Sequence, residues 1–378
     1  MKVIINIAAW AALMSGCSDG GSTVSTRAVV EHYAAIVHAN YAEALTNAQA
    51  LEVAVEAFVA APRETTLAGA RQAWKAAREP YGQSEVYRFY DGPIDDPASG
   101  PEGRMNAWPL DEVFIDYVVD DEAAGIINHP ELFPTLTLDV IAAQNEAGGE
   151  KNISTGYHAI EFLLWGQDLD PQGAGARPPT DYVAGGTHAN QARRAQYLTL
   201  VTEQLVADLQ MLVDAWQPDT ANYAAALVAG DPADGLANML LGMGSLSGAE
   251  LAGERMTTAI DNRDQEDEHS CFSDNTHRDL ALNALAIENV YFGRYGAIDG
   301  AGLDDLVKAI DPELDAKLTA QFAATHDAIA AIPVPFDQAI ASEAGRTQAL
   351  AAVQALKAQT TTIVEVATAL GIAINIED

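Results

Sequence analysis

Helical periodicity is the feature that most limits how this chain can fold. Apolar residues recur at three- and four-residue spacing along most of its length, and no segment alternates apolar and polar residues as a half-buried strand does. Proline and glycine interrupt the pattern most densely at 168–188, which is typical of a domain boundary. The sequence therefore predicts an all-α protein of two similar helical bundles, each like a four-helix bundle, at 28–187 and 188–378.

Helices are predicted throughout both bundles. One of them, 236–259, is rich in glycine, serine and alanine but carries Glu250 and Glu254, so it predicts close helix packing rather than a membrane span. The predicted helices cover 28–60, 66–89, 134–144, 153–165, 189–216, 236–259, 276–295, 312–331 and 346–370.

Residues 1–16 are predicted to be a signal peptide. Lys2 precedes an apolar run, and small residues lead to Cys17, which is the order of a secretory signal. The stretch also resembles a bacterial lipobox, which implies cleavage before Cys17 and lipid on its sulfur; an ordinary signal with an incidental cysteine is the alternative. Residues 17–27 then form a lipidated tether. The resemblance to a lipobox also implies outer-membrane sorting, because Ser18 follows the cysteine, so we expect a periplasm-facing outer-membrane lipoprotein of a bacterial cell envelope.

The charge of the chain excludes some partners and favours others. It has 54 acidic residues against 20 basic ones, a formal net charge of −34. Nucleic acid and anionic lipid surfaces are therefore repelled, whereas cations are attracted. Solubility alone is an alternative explanation of the acidity.

The stretch GYHAIEFLLWGQD, at 156–168, carries the strongest indication of a binding site. His158 and Glu161 lie three residues apart, so they share one face of the predicted helix in otherwise apolar surroundings. A buried charge is costly unless it is paired or bound to a metal. Imidazole and carboxylate together are common ligands of zinc and iron. His158 and Glu161 are therefore predicted metal ligands, with a hydrogen-bonded core pair as the alternative.

A polar stripe along the predicted helix 66–89 offers a further ligand. Its members combine aromatic, arginine and glutamate side chains at three- and four-residue steps, as the wall of a polar pocket or a charge-paired interface does. Glu85 is the preferred third ligand, with Asp111 and Asp116 behind it. The stripe consists of Trp74, Arg78, Tyr81, Glu85 and Arg88.

A second polar cluster, at 254–279, is predicted to contribute to the same pocket. Arg255, Arg263 and His269 are the candidates for its wall. Cys271 is predicted to be a buried, unreactive thiol, because nothing among so many acids lowers its pKa. It is also the one cysteine left after lipidation, so no internal disulfide is expected.

Three stretches of the sequence resemble the imelysin family. GYHAIEF fits its G-x-H-x-x-E signature, and NAWPLDEVFIDYV and ERMTTAIDNRDQEDEHSCFSDNTH are similar to its iron-regulated protein A branch. This resemblance implies two similar helical bundles packed around an interface pocket, with metal ligation by His158 and Glu161. It also implies an envelope lipoprotein that serves iron acquisition, in a family whose members are classed as metallopeptidases.

Two functions are consistent with this resemblance. Peptidases of the H-E-x-x-H type need a second histidine and a glutamate base, whereas here Ala159 follows His158 and Phe162 lies four residues on. We therefore predict an envelope protein that binds a metal ion, iron first and zinc second, or a small metal chelate. Arg78 and Arg255 are candidates to hold an anionic chelator. A metal-dependent peptidase is the alternative, and other envelope iron-uptake proteins are the expected partners.

Overall fold

The structure, a computed structural model, describes residues 24–170 and 172–376. Regular structure in these residues is almost entirely helical, and the strands found there, β1 (Arg294–Tyr295) and β2 (Ile298–Asp299), form one short antiparallel pair. The all-α fold class is thereby confirmed. Within the same ranges, no helix has both the length and the apolarity that a membrane crossing requires. The predicted signal peptide and Cys17 lie outside the described residues.

The α-helices are numbered here in chain order. A π-helix (Leu246–Thr257) joins two of them without a break, and a 3-10 helix (Glu85–Tyr87) extends another. The α-helices are α1 (Thr26–Ala60), α2 (Glu64–Ser84), α3 (Glu102–Met105), α4 (Gly125–Asn128), α5 (Leu138–Ala142), α6 (Gly156–Trp165), α7 (Gln191–Trp216), α8 (Tyr223–Ala229), α9 (Pro232–Ser245), α10 (Thr258–Asn262), α11 (Thr276–Phe292), α12 (Leu303–Ile310), α13 (Pro312–Ala330), α14 (Phe336–Ala341) and α15 (Glu343–Ala369).

Local sequence explains where the helices begin and end. Ser25 caps α1, because its side chain accepts a hydrogen bond from the N–H of Ala28 at 3.2 Å. α11 ends at Phe292 rather than at the predicted Tyr295, because Gly293 adopts a φ of 62° and terminates the helix.

Two further predicted helices differ from the observed ones, one in length and one in helix type. The predicted helix 134–144 shortens to α5, because Thr137 caps it by accepting a hydrogen bond from the N–H of Val140 at 3.3 Å. The predicted helix 236–259 is continuous but changes from α-helix to π-helix after Ser245. π-helical turns are rare and concentrate at functional sites.

α6 lies inside the fold. All ten of its residues are buried, and it packs against α2 and α7. α1 also packs along α2 and α7, whereas α13 packs along α15 and α11 packs against α2. One apolar core includes side chains from Val29 to Ala367. The division into bundles at 28–187 and 188–378 stays a prediction, and α7, which follows that boundary, packs against α1 and α6, which precede it.

Candidate metal centre

Gly156 positions the helix that carries the predicted motif. Its φ is 85°, and a Cβ at this position would lie 2.5 Å from the carbonyl oxygen of Met105. Glycine is the residue that accepts a positive φ this close to another backbone segment. The loop that follows Met105 is therefore held against the first turn of α6, two residues before His158.

His158 and Glu161 contact each other, as their spacing predicts. His158 Nδ1 lies 3.0 Å from Glu161 Oε2, and the N–H of Ser273 donates to Glu161 Oε1 at 3.0 Å. Both side chains are fully buried. Burial raises the pKa of Glu161 to about 8 and lowers the pKa of His158 well below its usual value. Both groups therefore favour their neutral forms at neutral pH.

His269 brings a second imidazole to the same place. Its Nε2 lies 3.3 Å from His158 Nε2, and its Nδ1 lies 3.0 Å from Asp279 Oδ2. Each imidazole thus has one ring nitrogen next to a carboxylate and the other pointing at the partner imidazole. Carboxylates in this position fix the orientation of ligand histidines in metalloproteins.

Arg78 fixes the carboxylate behind His269. It is fully buried, its Nη2 lies 3.1 Å from Asp279 Oδ1, and its Nη1 donates to Asn106 Oδ1. Although burial opposes ionisation, the Arg78 guanidinium and His269 hold the pKa of Asp279 well below its usual range. An anionic Asp279 accepts a hydrogen bond from His269 Nδ1–H, which leaves the Nε2 lone pair directed at His158.

The two imidazoles are kept uncharged and are covered by an aromatic ring. Burial lowers the pKa of His269, and the guanidinium of Arg255 lowers it further. The Trp108 ring centroid lies 4.8 Å from that of His158 and 6.5 Å from that of His269. Neutral imidazole is the form that binds a metal ion.

Glu85 lies beside the histidine pair, but both of its oxygens are bonded to other groups. Arg255 donates to Oε1 at 2.6 Å and to Oε2 at 2.7 Å, and the amides of Asn106 and Asn283 donate at 2.7 and 2.8 Å. Although burial opposes its charge, Arg255 holds the pKa of Glu85 well below the usual range. Asn106 connects this ion pair to the site, since its Nδ2 lies 3.4 Å from His269 Nε2.

A cavity of about 370 Å³ opens beside the histidine pair. Asn106, Trp108 and His269 form part of its wall. Arg88 and Arg255 also line it, and both are already paired with carboxylates at 3.0 Å or less. Acidic side chains outnumber these two guanidinium groups in the wall. They are Glu102, Glu146, Glu250, Glu254 and Asp267.

Three of the predicted pocket residues lie elsewhere. Asp116 is buried and binds Arg194 at 2.6 Å. Asp111 caps a short 3-10 helix, because its side chain accepts a backbone N–H at 3.3 Å. Arg263 is exposed and adopts a φ of 56° at the end of α10. The observed contacts of these three side chains do not connect them to the histidine pair.

Three residues of the site were not predicted from the sequence: Asn106, Trp108 and Asp279. Asn106 and Trp108 follow Met105 in a loop, and they reach the site because that loop is held against Gly156. Asp279 lies in the first turn of α11, ten residues after His269. A carboxylate among so many acids has no sequence signal of its own, so its contact with His269 depends on the fold.

The donor set fits a metal ion in part. Two neutral imidazole nitrogens 3.3 Å apart match two ligands of one ion with metal–nitrogen bonds of about 2.0–2.1 Å. In the described parts of the chain, however, no three His, Cys, Asp or Glu side chains are arranged to hold a metal ion. Glu161 and Glu85 are bonded to other groups, so further ligands must come from the cavity.

The all-α fold of this chain is also found in known proteins. The family model of imelysin, peptidase family M75, matches residues 37–363. The chain therefore belongs to the imelysin family.

Individual relatives agree with this assignment. Iron-regulated protein A of Synechococcus elongatus is 26% identical over 363 residues, which cover 93% of this chain and 88% of that protein. A solved structure from Parabacteroides distasonis, assigned as an iron-regulated protein A precursor, has a TM-score of 0.72 and 25% identity, covering 92% of this chain and 96% of its own. An imelysin-like protein from Psychrobacter arcticum has a TM-score of 0.65 over 93% of this chain and 98% of its own; at 15% identity it shows the fold alone.

Proposed function

We propose that this protein binds an iron ion as cargo between His158 and His269. The observation that carries the proposal is that their Nε2 atoms face each other at 3.3 Å, each ring having its other nitrogen next to a carboxylate. Two nitrogen lone pairs repel at this distance unless a proton or a cation lies between them. The name of the similar Synechococcus protein, iron-regulated protein A, favours iron.

The residues behind the two rings prepare them for an ion. Asp279, kept anionic by Arg78, holds the proton of His269 on Nδ1 and leaves Nε2 as a donor atom. Glu161 lies in the equivalent position behind His158, and a cation bound between the rings favours its ionised form over the neutral form that burial favours. An ion bound between the rings replaces the proton that otherwise lies there, and a bound cation also compensates the neighbouring carboxylates.

The charges of the cavity favour a free cation over an anionic chelate. Arg255 binds Glu85 and Glu250, and Arg78 binds Asp279, so neither guanidinium is free to pair with the carboxylates of a chelator. The acidic wall of the cavity repels an anion and attracts a hydrated cation. Water or small neutral ligands in the cavity then complete the coordination of the ion.

Metal binding by purified single variants tests the proposal. We expect His158→Ala and His269→Ala each to lose ferrous and zinc binding in titration calorimetry. The control is His326→Ala, whose imidazole contacts Glu288 at 2.6 Å away from the site, and it should bind as the wild type does. Equal metal binding by the wild type and both site variants would identify the histidines as a hydrogen-bonded core pair. Chelator-sensitive cleavage of an unfolded polypeptide that is lost in His158→Ala would instead support the peptidase alternative.

We also propose that lipid on Cys17 anchors the protein to the outer membrane, facing the periplasm, where it serves iron acquisition with other envelope proteins. The signal-like residues before Cys17 support this location. Cys17→Ser is expected to release the protein from sedimented membranes. A variant that still sediments with the outer membrane after a salt wash would contradict the proposed anchor.

A further inference from the structure

A second cavity, of about 350 Å³, opens at the end of α6 and is called the α6 cavity below. Trp165, the last residue of that helix, forms part of its wall and is almost completely buried. Val119 and Leu169 also line it, and these two apolar side chains are 63% and 65% exposed. His158 and His269 are not among the described residues that line it. A cavity of this size, with aromatic and apolar walls and a few polar groups, is typical of a small-molecule site.

Contacts between three segments give the α6 cavity its shape. The N–H of Arg177 donates to the carbonyl of Trp165 at 2.7 Å, and a Cβ at Gly175 would lie 2.7 Å from the same carbonyl oxygen. On the other side, the N–H of Val119 donates to Gln167 Oε1 at 2.7 Å. The walls are therefore fixed to one another, and the cavity exists before a ligand binds.

One edge of the Arg177 guanidinium is paired with carboxylates, and the other edge is not. Nη1 lies 2.7 Å from Asp116 Oδ2 and 3.5 Å from Asp181 Oδ2, and Asp116 also binds Arg194 at 2.6 Å. In the part of the chain that the structure describes, Nε is buried without an acceptor and Nη2 donates no hydrogen bond. Gly166, which also lines the cavity, has no side chain to cover this edge, since a Cβ there would lie 3.4 Å from Nε. Buried N–H groups are almost always bonded, so an acceptor oxygen at this edge would be strongly favoured.

The Arg177 guanidinium is held in place between two aromatic rings. Its Cζ lies 4.9 Å from the ring centroid of Tyr117 and 5.2 Å from that of Phe162, and the whole residue is only 4% exposed. Nε and Nη2 of a guanidinium present two parallel N–H groups that match the two oxygens of one carboxylate. Because this side chain is already fixed, it loses little conformational entropy when it binds such a group.

The surroundings of the α6 cavity favour an anion, although the chain as a whole is acidic. Arg71 and Lys75 lie 5.5 and 5.8 Å from the Trp165 ring centroid. Their bonds within the described residues go to backbone carbonyl groups, among them those of Arg177 and Ser273, so their charges are not neutralised by a direct carboxylate partner. The described lining contains one acid, and it is exposed to solvent, where its charge is screened.

We propose that the α6 cavity binds a small organic acid with an apolar body. The two carboxylate oxygens of the ligand accept hydrogen bonds from Nε and Nη2 of Arg177. The apolar body packs against Trp165, Val119 and Leu169, which gives the two exposed apolar side chains a partner. This site is separate from the histidine pair and does not depend on metal binding there.

Titration calorimetry of the purified full chain, in a buffer of low ionic strength that contains a chelator, tests the site. The probes are hexanoate, phenylacetate and 4-phenylbutyrate, and we expect saturable binding of at least one of them. The primary amide of the tightest-binding acid has nearly the same shape but no charge. It should bind about tenfold or more weakly, because it loses the charge-assisted pair of hydrogen bonds.

Variants assign the binding to the α6 cavity. Arg177→Lys keeps the positive charge but loses the two parallel donors, so it should bind the acid about tenfold more weakly. Since this change also disturbs a buried ion pair, exposed position 169 provides a second comparison. Leu169→Lys should bind the acid more tightly than Leu169→Asp, because both lose the same apolar contact and differ only in the charge that faces the ligand. Leu350→Asp, at an exposed position on α15, is the control and should bind as the wild type does.

Three outcomes would overturn the proposal. The first is the absence of saturable binding of all three acids to the wild type, and the second is equal binding of an acid and its amide. The third is equal binding of the acid by Leu169→Lys and Leu169→Asp. Binding should persist in His158→Ala, whatever happens to metal binding in that variant. Its loss there would place the acid at the histidine pair and contradict the α6 cavity as its site.

Discussion

His158 and His269 meet through their Nε2 atoms at 3.3 Å, although 111 residues separate them. One ring lies on α6, and the other lies in the loop before α11. Of the carboxylates behind them, Glu161 lies on α6 with His158, and Asp279 lies in the first turn of α11, directly after the loop. The candidate site is therefore formed by contact between the loop and α6, to which the N–H of Ser273 adds a bond to Glu161.

The first prediction concerns the glycine of the motif. Gly156→Ala should lower the free energy of unfolding by about 2 kcal/mol or more. The added Cβ would clash with the Met105 carbonyl, and alanine would have to adopt the positive φ of Gly156. Urea unfolding measures the change. Gly69→Ala, on the exposed face of α2, is the control. A Cβ added there has no neighbour within 4 Å, so the free energy of unfolding should rise by about 1 kcal/mol. Equal effects of the two substitutions would contradict the close contact at Gly156.

The second prediction concerns the buried ion pair of Glu85 and Arg255. Arg255→Met should destabilise the fold by about 3–5 kcal/mol, because it leaves the Glu85 carboxylate buried without its partner. The double variant Glu85→Gln, Arg255→Met should be more stable than Arg255→Met alone. A double variant whose loss equals the sum of the two single losses would show that the residues act independently.

The third prediction concerns pH. Burial raises the pKa of Glu112 from 4.5 to about 7, although the hydrogen bond that Gln167 donates to it at 2.7 Å lowers the pKa and opposes this shift. Between these values the folded state binds more protons than the unfolded state, so the Glu112 contribution to stability falls as pH rises. Glu112→Gln should therefore gain stability relative to the wild type between pH 5 and pH 8, measured as unfolding midpoints. The prediction would be contradicted if the unfolding midpoints of Glu112→Gln and of the wild type changed with pH in parallel. Glu122→Gln, at an exposed position, is the control, and its midpoints should change in parallel with those of the wild type.

The fourth prediction separates two roles for Glu161. If this residue orients His158, Glu161→Gln should weaken metal binding by about 10–100-fold without abolishing it. Asp279→Asn, the equivalent change behind His269, should have a similar effect. A complete loss in Glu161→Gln, as severe as in His158→Ala, would make Glu161 a ligand itself, as its sequence spacing predicts.

Much of the fold is predictable because helical periodicity is a local property. The bounds of α1, α7 and α13 follow from apolar spacing with serine or proline near the ends. The π-helix at Leu246–Thr257 is not predictable in this way, because its apolar spacing resembles that of an α-helix.

The site is predictable only where its residues are neighbours in sequence. His158 and Glu161 share a helix face, so their contact follows from spacing alone. The partners of His158 and Glu85, which are His269 and Arg255, come from segments far along the chain. Spacing also predicted that Glu85 is a metal ligand. Spacing carries no information about the Arg255 guanidinium, which binds both oxygens of Glu85.

The most direct test of the central claim is anomalous X-ray diffraction from crystals of the purified protein loaded with ferrous ion under anaerobic conditions. We expect one anomalous peak between the two imidazoles, about 2.1 Å from both the His158 and the His269 Nε2 atoms. Crystals of His269→Ala should lack this peak. An anomalous peak elsewhere in the molecule, or two facing histidines with no peak between them in iron-loaded crystals, would contradict metal binding by this pair.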